Sequence, residues 1–215
     1  MKAARPPKAC LPVIGLTGPM CAGKNAAGAI LERFGFAVVD ADKTAHAALL
    51  DVQDRVVAAF EPVARERGIN LVKADGTLDR RALGSVVFSD GELLARHEGI
   101  VYPRINELLG RFIDDRLVEG TARGIVVNAP LLHKSPILDR CDLVIFVDSP
   151  ALIRLFRART RDGLPYRQIL ARFSAQKHLF AQYLEKDVDI QRVRNRGSIR
   201  ALERRLAILL SSRGY

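Results

Sequence analysis

The stretch Gly18-Pro-Met-Cys-Ala-Gly-Lys-Asn25 constrains this chain more than any other. It follows a short apolar run, Leu11 to Thr17, and precedes a helix-like run, Ala26 to Phe34. Two glycines with four residues between them, the second followed at once by lysine, have the spacing of a phosphate-binding loop. Glycine lets the backbone fold into a concave nest whose N–H groups, with the N-terminus of the next helix, face an anion. The lysine adds a point charge for the outer phosphates. The residues expected to hold a nucleotide triphosphate are therefore Gly18, Cys21, Ala22, Gly23, Lys24, Asn25 and Ala26. One letter departs from the pattern. The eighth position ordinarily carries a Ser or Thr hydroxyl for Mg²⁺, and here it is Asn25, whose amide oxygen is a weaker but possible ligand, directly or through water.

The rest of the chain reads as alternating strands and helices. Phe36–Asp40, Gly124–Asn128 and Asp142–Asp148 are apolar runs of strand length, and Asp189–Val193 is a weaker one. With the first run they predict five parallel strands flanked by helices on both faces. Between the second and third strands lies a long stretch without strand character. It is read as helices: Asp51 to Arg67 broken near Pro62, Leu78 to Phe88 capped by Thr77, Glu92 to Val101, and a restart at Pro103 running to Glu119. Ser149 or Asp148 is expected to cap the helix that opens at Pro150, and a single helix is expected over Tyr166 to Leu184. Ser198 is expected to cap the last helix.

Chemistry is expected at the C-terminal ends of the strands, where ligands sit in open α/β sheets. Asp40, Asp42 and His46 follow the second strand there. Asp40 is read either as a helix cap or as a site residue, Asp42 as a base able to take a hydroxyl proton, and His46 as a possible substrate contact. Arg154, Arg157 and Arg161 share a helix face and could close on phosphates.

Composition narrows the partners. The 215 residues carry 34 Lys and Arg against 24 Asp and Glu, a net +10 that suits anionic ligands. No aromatic-interleaved basic motif accompanies the arginines, so phosphate-rich small molecules are expected rather than nucleic acid. No apolar run reaches the ~20 residues of a membrane span. Residues 1–10 are basic without a long apolar core and read as a short loose tail, not a secretory signal. Three scattered cysteines, Cys10, Cys21 and Cys141, fit a reducing cytoplasm better than a disulfide framework or a zinc site.

Several stretches together resemble the dephospho-coenzyme A kinase family. They are Gly15-Leu-Thr-Gly18 with Gly23-Lys24, Val39-Asp-Ala-Asp-Lys-Thr-Ala-His46, Gly76-Thr-Leu-Asp-Arg-Arg-Ala-Leu83 with Val87-Phe88, Ala129-Pro-Leu-Leu132, Arg172-Phe-Ser-Ala-Gln176 and Asn195-Arg-Gly197. The resemblance runs from about Ile14 to Leu209. It implies ATP- and Mg²⁺-dependent phosphorylation of the ribose 3′-hydroxyl of dephospho-coenzyme A. It also implies a phosphate-loop core over 11–48, 102–153 and 181–215, a helical coenzyme A-binding part over 49–101 and a lid hairpin over 154–180. Lys24, Asp42 and Arg161 would be catalytic. Arg157, Arg161 and Asn195 would join the loop around ATP, and Asp42, His46, Arg81, Tyr102 and Leu132 would face the acceptor. Asn25, Tyr102, Asn128 and Lys134 depart from the family pattern, where Ser or Thr, His, Asp and Glu respectively are usual. A kinase for another nucleotide or nucleoside, and a nucleotide-binding protein with weakened catalysis, are the alternatives these departures leave open.

Overall fold

The computed structural model describes residues 11–163 and 165–215, without the side chains of Arg161 and Asp162. The tail reading for 1–10, Cys10, and the lid reading that rests on the Arg161 side chain lie outside the described residues. The chain divides into two compact units. One runs to Asp40 and resumes over Gly110–Tyr215, and the other is Ala41–Leu109.

The first unit is built on a sheet of β1 (Val13–Thr17), β2 (Phe36–Asp40), β3 (Gly124–Asn128), β4 (Leu143–Asp148) and β5 (Ile190–Arg194). All pairs are parallel, in the order β2-β3-β1-β4-β5. The two strands that flank β1 both follow it late in the chain, so β1 lies centrally, buried on both faces, and the loop after it opens at the C-terminal edge of the sheet. The unbroken apolar character of β1, β3 and β4 is what this double burial demands.

Helix α1 (Lys24–Arg33) covers the sheet with Ala27, Ile30 and Leu31. The last helix of the chain, Ile199–Ser212, adds Leu202, Leu206 and Leu210 at four-residue spacing, and these join Ile14, Leu16 and Ile145 in one core. Ser198 caps that last helix by accepting from the Ala201 N–H, as its position after Gly197 predicts.

The second unit contains α2 (Ala41–Asp51), α3 (Gln53–Glu66), α4 (Arg80–Val87) and the first part of α5 (Gly91–Glu119). Its core gathers Val52, Val56, Phe60, Leu83, Val86, Val87 and Val101. Two prolines expected to break helices do not. Pro62 lies within α3 and Pro103 within α5. Each is exposed, as are Ala58 and Gly99 four residues earlier, so the carbonyl that loses its hydrogen bond faces water instead of the core.

The cap of α4 is Asp79, which accepts from the N–H groups of Arg81 and Ala82. Thr77 instead donates through its N–H and hydroxyl to Asp75, closing the turn whose Gly76 has φ +78°. That turn also pairs Val72 with Leu78 in an isolated antiparallel bridge, which the sequence did not suggest.

Two expectations after β4 also change. Helix α6 (Ala151–Asp162) has Pro150 at its cap position and no side-chain cap, because Asp148 accepts from Arg192 and the Ser149 hydroxyl from Arg157. The expected helix over 166–184 is two: α7 (Tyr166–Ala175) and α8 (Leu179–Leu184), with α9 the last helix already described. The break is a tight turn: the Gln176, Lys177 and Leu179 N–H groups donate to the carbonyls of Phe173, Ser174 and Gln176, three residues earlier in each case.

Candidate active site

The loop between β1 and α1 is held in its shape by contacts from distant parts of the first unit. Gly18 has φ +144°, and a Cβ there would lie 2.1 Å from the Val147 carbonyl oxygen. Gly23 has φ +105°, and a Cβ there would lie 2.2 Å from Asn195 Nδ2. Both glycines of the sequence pattern are thus required twice, by conformation and by close approach. Cys21 also has positive φ, +59°, the single such non-glycine among the described residues.

Lys24 Nζ donates to the Gly18 carbonyl at 2.8 Å and reaches the Pro19 carbonyl at 3.4 Å, so its ammonium curls over the loop. Asn195 follows β5 and is buried. Its Nδ2 donates to the Ala22 carbonyl at 2.8 Å and its backbone N–H to the Asp148 carbonyl at 2.6 Å. Arg157, from α6, donates through Nη1 to the carbonyls of Cys21 and Ala22 and to the Ser149 hydroxyl. Of the expected residues, Cys21, Gly23, Lys24, Asn25 and Ala26 come together with Arg157 and Asn195 around a cavity of about 510 Å³, and Gly18 and Ala22 do not line it. Its far side is formed by Phe156, Thr160, Gly197, Ile199 and Leu202. A concave, largely apolar space of this size beside a phosphate nest suits a nucleoside.

Gln176 and Tyr183 carried no assigned role in the sequence reading, and Arg154, expected to close on phosphates, is placed elsewhere than on the loop carbonyls. The Gln176 side-chain oxygen accepts from the Met20 N–H at 2.8 Å, tying the end of α7 to the loop. Tyr183 is fully buried. Its hydroxyl lies 2.9 Å from the Thr17 hydroxyl and accepts from the His133 N–H at 3.2 Å, and burial pushes its pKa up. Arg154 lies 4.2 Å over the Phe173 ring, with Nε and Nη1 buried and without hydrogen-bond partners. Burial lowers its pKa, against the favourable field of Asp148. Gln176 stood within a family-like stretch, but nothing in local periodicity marks Tyr183 as more than a core residue.

At the C-terminal ends of β2 and β3, Asn128 ends β3 and is buried. Its Nδ2 donates to Asn25 Oδ1 at 3.3 Å and to Asp40 Oδ2 at 3.5 Å.

The remaining expected residues are placed as follows. Leu132 is completely buried and packs over Gly15, where an added Cβ would lie 2.4 Å from its side chain, so only the backbone of that turn is left for a ligand. Asp42, His46, Arg81 and Tyr102 belong to the second unit. Asp42 and His46 are exposed and one turn apart on α2. Arg81 is exposed in the first turn of α4. Tyr102 donates to Glu98, and burial followed by that carboxylate pushes its pKa up to about 12.

A central parallel strand running into a glycine nest, with a lysine inside it and an arginine and an asparagine braced on it, defines a P-loop kinase. A family model described as dephospho-CoA kinase matches residues 12–197. The chain is 38% identical over 203 residues to the dephospho-CoA kinase of Treponema denticola, spanning 94% of this chain and 91% of that protein. It is 34% identical over 203 residues to that of Treponema pallidum, spanning 94% and 96%. Among solved structures it is similar to TT1252 from Thermus thermophilus, with TM-score 0.75 and 29% identity over 94% of this chain and 98% of that one. The dephospho-CoA kinase from Campylobacter jejuni shares the fold, with TM-score 0.63 and 22% identity over 94% and 96%. The chain belongs to the dephospho-CoA kinase family. Its activity is dephospho-CoA kinase activity, the final step of coenzyme A biosynthesis. The reading as a kinase for another nucleotide or nucleoside falls with that match. No helix among the described residues is long and apolar enough to cross a membrane.

Proposed function

We propose that the first unit binds ATP at the loop and that Asp42 takes the proton from the 3′-hydroxyl of dephospho-coenzyme A as the γ-phosphoryl group transfers. The observation that carries this reading is the convergence of Lys24, Arg157 and Asn195 on one loop beside a nucleoside-sized cavity. Phosphoryl transfer asks little covalent chemistry of a protein. It asks for charge at the transferring group and an acceptor in line with it. Lys24 supplies charge at the β- and γ-phosphates, Arg157 supplies it from α6, and Arg161 is assigned the same role from the end of that helix. The loop N–H groups orient the phosphates. The cavity side of Phe156, Ile199 and Leu202 receives the base, with Asn195 fixing the loop beneath it.

The second unit is read as the acceptor side, with His46, Arg81 and Tyr102 as contacts, the backbone near Leu132 as a further one, and 154–180 as the lid. A reducing, cytoplasmic setting is part of the same reading.

The residues present fit a divalent cation of the Mg²⁺ type. No group of three or more His, Cys, Asp or Glu side chains that could hold a metal occurs among the described residues. Mg²⁺ sites at nucleotides usually need one or two carboxylates plus phosphate and water, and Asp40 with the Asn25 oxygen supplies that donor set. When bound, such a cation neutralises charge on the β- and γ-phosphates.

The test is Asp42→Asn. Turnover should fall by on the order of 10²–10⁴-fold, as loss of a general base does, while ATP affinity measured by calorimetry stays as it was. Undiminished turnover would remove Asp42 from this role.

A further inference from the structure

Two of the departures from the family pattern touch each other. Asn25 stands where a hydroxyl is usual and Asn128 where a carboxylate is usual, 103 residues apart, and they share a hydrogen bond. The same Asn128 amide nitrogen also donates to Asp40 Oδ2, and β-sheet register places Asp40 and Asn128 side by side at the ends of β2 and β3. Asn128 is buried, and its own Oδ1 has no hydrogen-bond partner. An unpaired buried acceptor is unfavourable, so the amide orientation is decided by the two oxygens that claim its NH₂ group. The opposite orientation would set three oxygens against one another.

We propose that Asn25 and Asn128 act as one coupled amide unit that assembles the metal-facing edge of the loop without a cation. The Asn128 NH₂ group bridges the Asn25 oxygen and the Asp40 carboxylate, as a positive ion would. A carboxylate at position 128 would instead stand beside Asp40, and two adjacent like charges repel, a repulsion that a cation between them relieves. The pair thus exchanges cation affinity for an edge that is already in place: this side carries the charge of Asp40 but not that of a second carboxylate, and affinity for hard cations follows ligand charge. This rests on the reading of the loop as the ATP site.

The experiment compares the wild type with Asn25→Ser, Asn128→Asp and the double variant. Melting temperature is read in EDTA and in millimolar Mg²⁺, and Mn²⁺ binding alone is read by electron paramagnetic resonance. The wild-type melting temperature should be the same with and without Mg²⁺. Asn128→Asp should melt lower in EDTA, recover in Mg²⁺, and bind Mn²⁺ about ten-fold more tightly than the wild type. The effects of the single variants should not add in the double. Additive effects, or Mn²⁺ affinity unchanged by Asn128→Asp, would overturn the proposal. Asn25 is exposed, so Asn25→Ser serves where Asn128→Asp does not fold: it should lower the melting temperature in EDTA, and an unchanged value overturns the coupling. ATP binding in EDTA is measured beside these. Failure of the wild type to bind ATP in millimolar Mg²⁺ as well would overturn the ATP-site reading while the metal-free melting temperatures still judge the pair.

Discussion

Replacing Gly23 by alanine tests whether the loop is shaped by its own backbone or by what lies behind it. The substitution has two separable effects. At φ +105° a side chain is strained, which costs about 1–3 kcal/mol. The new Cβ would also lie 2.2 Å from Asn195 Nδ2, well inside any tolerable contact. Asn195 is buried and held at 2.8 Å on the Ala22 carbonyl, so it can yield only by giving up that bond. Leaving a buried acceptor less well satisfied costs a further ~1–3 kcal/mol. Gly23→Ala should therefore destabilise by about 2–6 kcal/mol, a fall in Tm of roughly 4–24 °C for a chain of this length. Asn195→Ala alone should lose only the second part, about 1–3 kcal/mol. In the double variant the clash is gone and the bond is lost once, not twice, so the destabilisations should fall short of additivity by about 1–3 kcal/mol. Thermal denaturation of the four proteins gives the coupling directly, and the ratio of KM for ATP to kcat shows whether the loop has lost phosphate binding. Strictly additive Tm changes would refute the idea that Asn195 buttresses Gly23. A Gly23→Ala protein as stable as the wild type would refute the strain argument as well.

Tyr183→Phe should lower stability by about 1–3 kcal/mol in urea denaturation, because the buried Thr17 hydroxyl and His133 N–H lose a shared partner. The edge contacts of the ring with Phe146 and His133 remain, so a larger loss, or none, would contradict this account. Burial lowers the pKa of His97 below its ordinary value, against the opposing field of Glu98, and burial lowers that of His133 too. The unfolded chain takes up these protons at about pH 6.5 while the folded chain resists them. Stability should thus be full above that pH and decline as pH falls through it, and His97→Gln should flatten part of the decline in Tm against pH.

Much of the frame was legible from local pattern. Phe36–Asp40 and Gly124–Asn128 are strands with the bounds their apolar runs suggest, and Ser198 caps where a serine before an apolar helical period should. Pro62 and Pro103 misled because a proline breaks a helix only where the carbonyl it orphans cannot reach water, and exposure is a tertiary property. Thr77 misled for a nearer reason. Asp75 and Asp79 each compete for the same short turn, and the geometry of the Asp75–Gly76 turn takes Thr77 and leaves Asp79 to the helix.

The sequence by itself determined that there would be a phosphate loop, because the glycines and lysine act within eight residues of chain. It also determined the kinase family, through several short stretches that match together. The tertiary structure decided what stands behind that loop. Asn195 meets Ala22 across 173 residues and Tyr183 meets Thr17 across 166, and both contacts exist because the sheet order sets β1 between β3 and β4. Periodicity records which face of an element is buried, not which distant element comes to face it. For that reason Asn25 read alone was a missing hydroxyl, and beside Asn128 and Asp40 it is one end of a hydrogen-bonded pair.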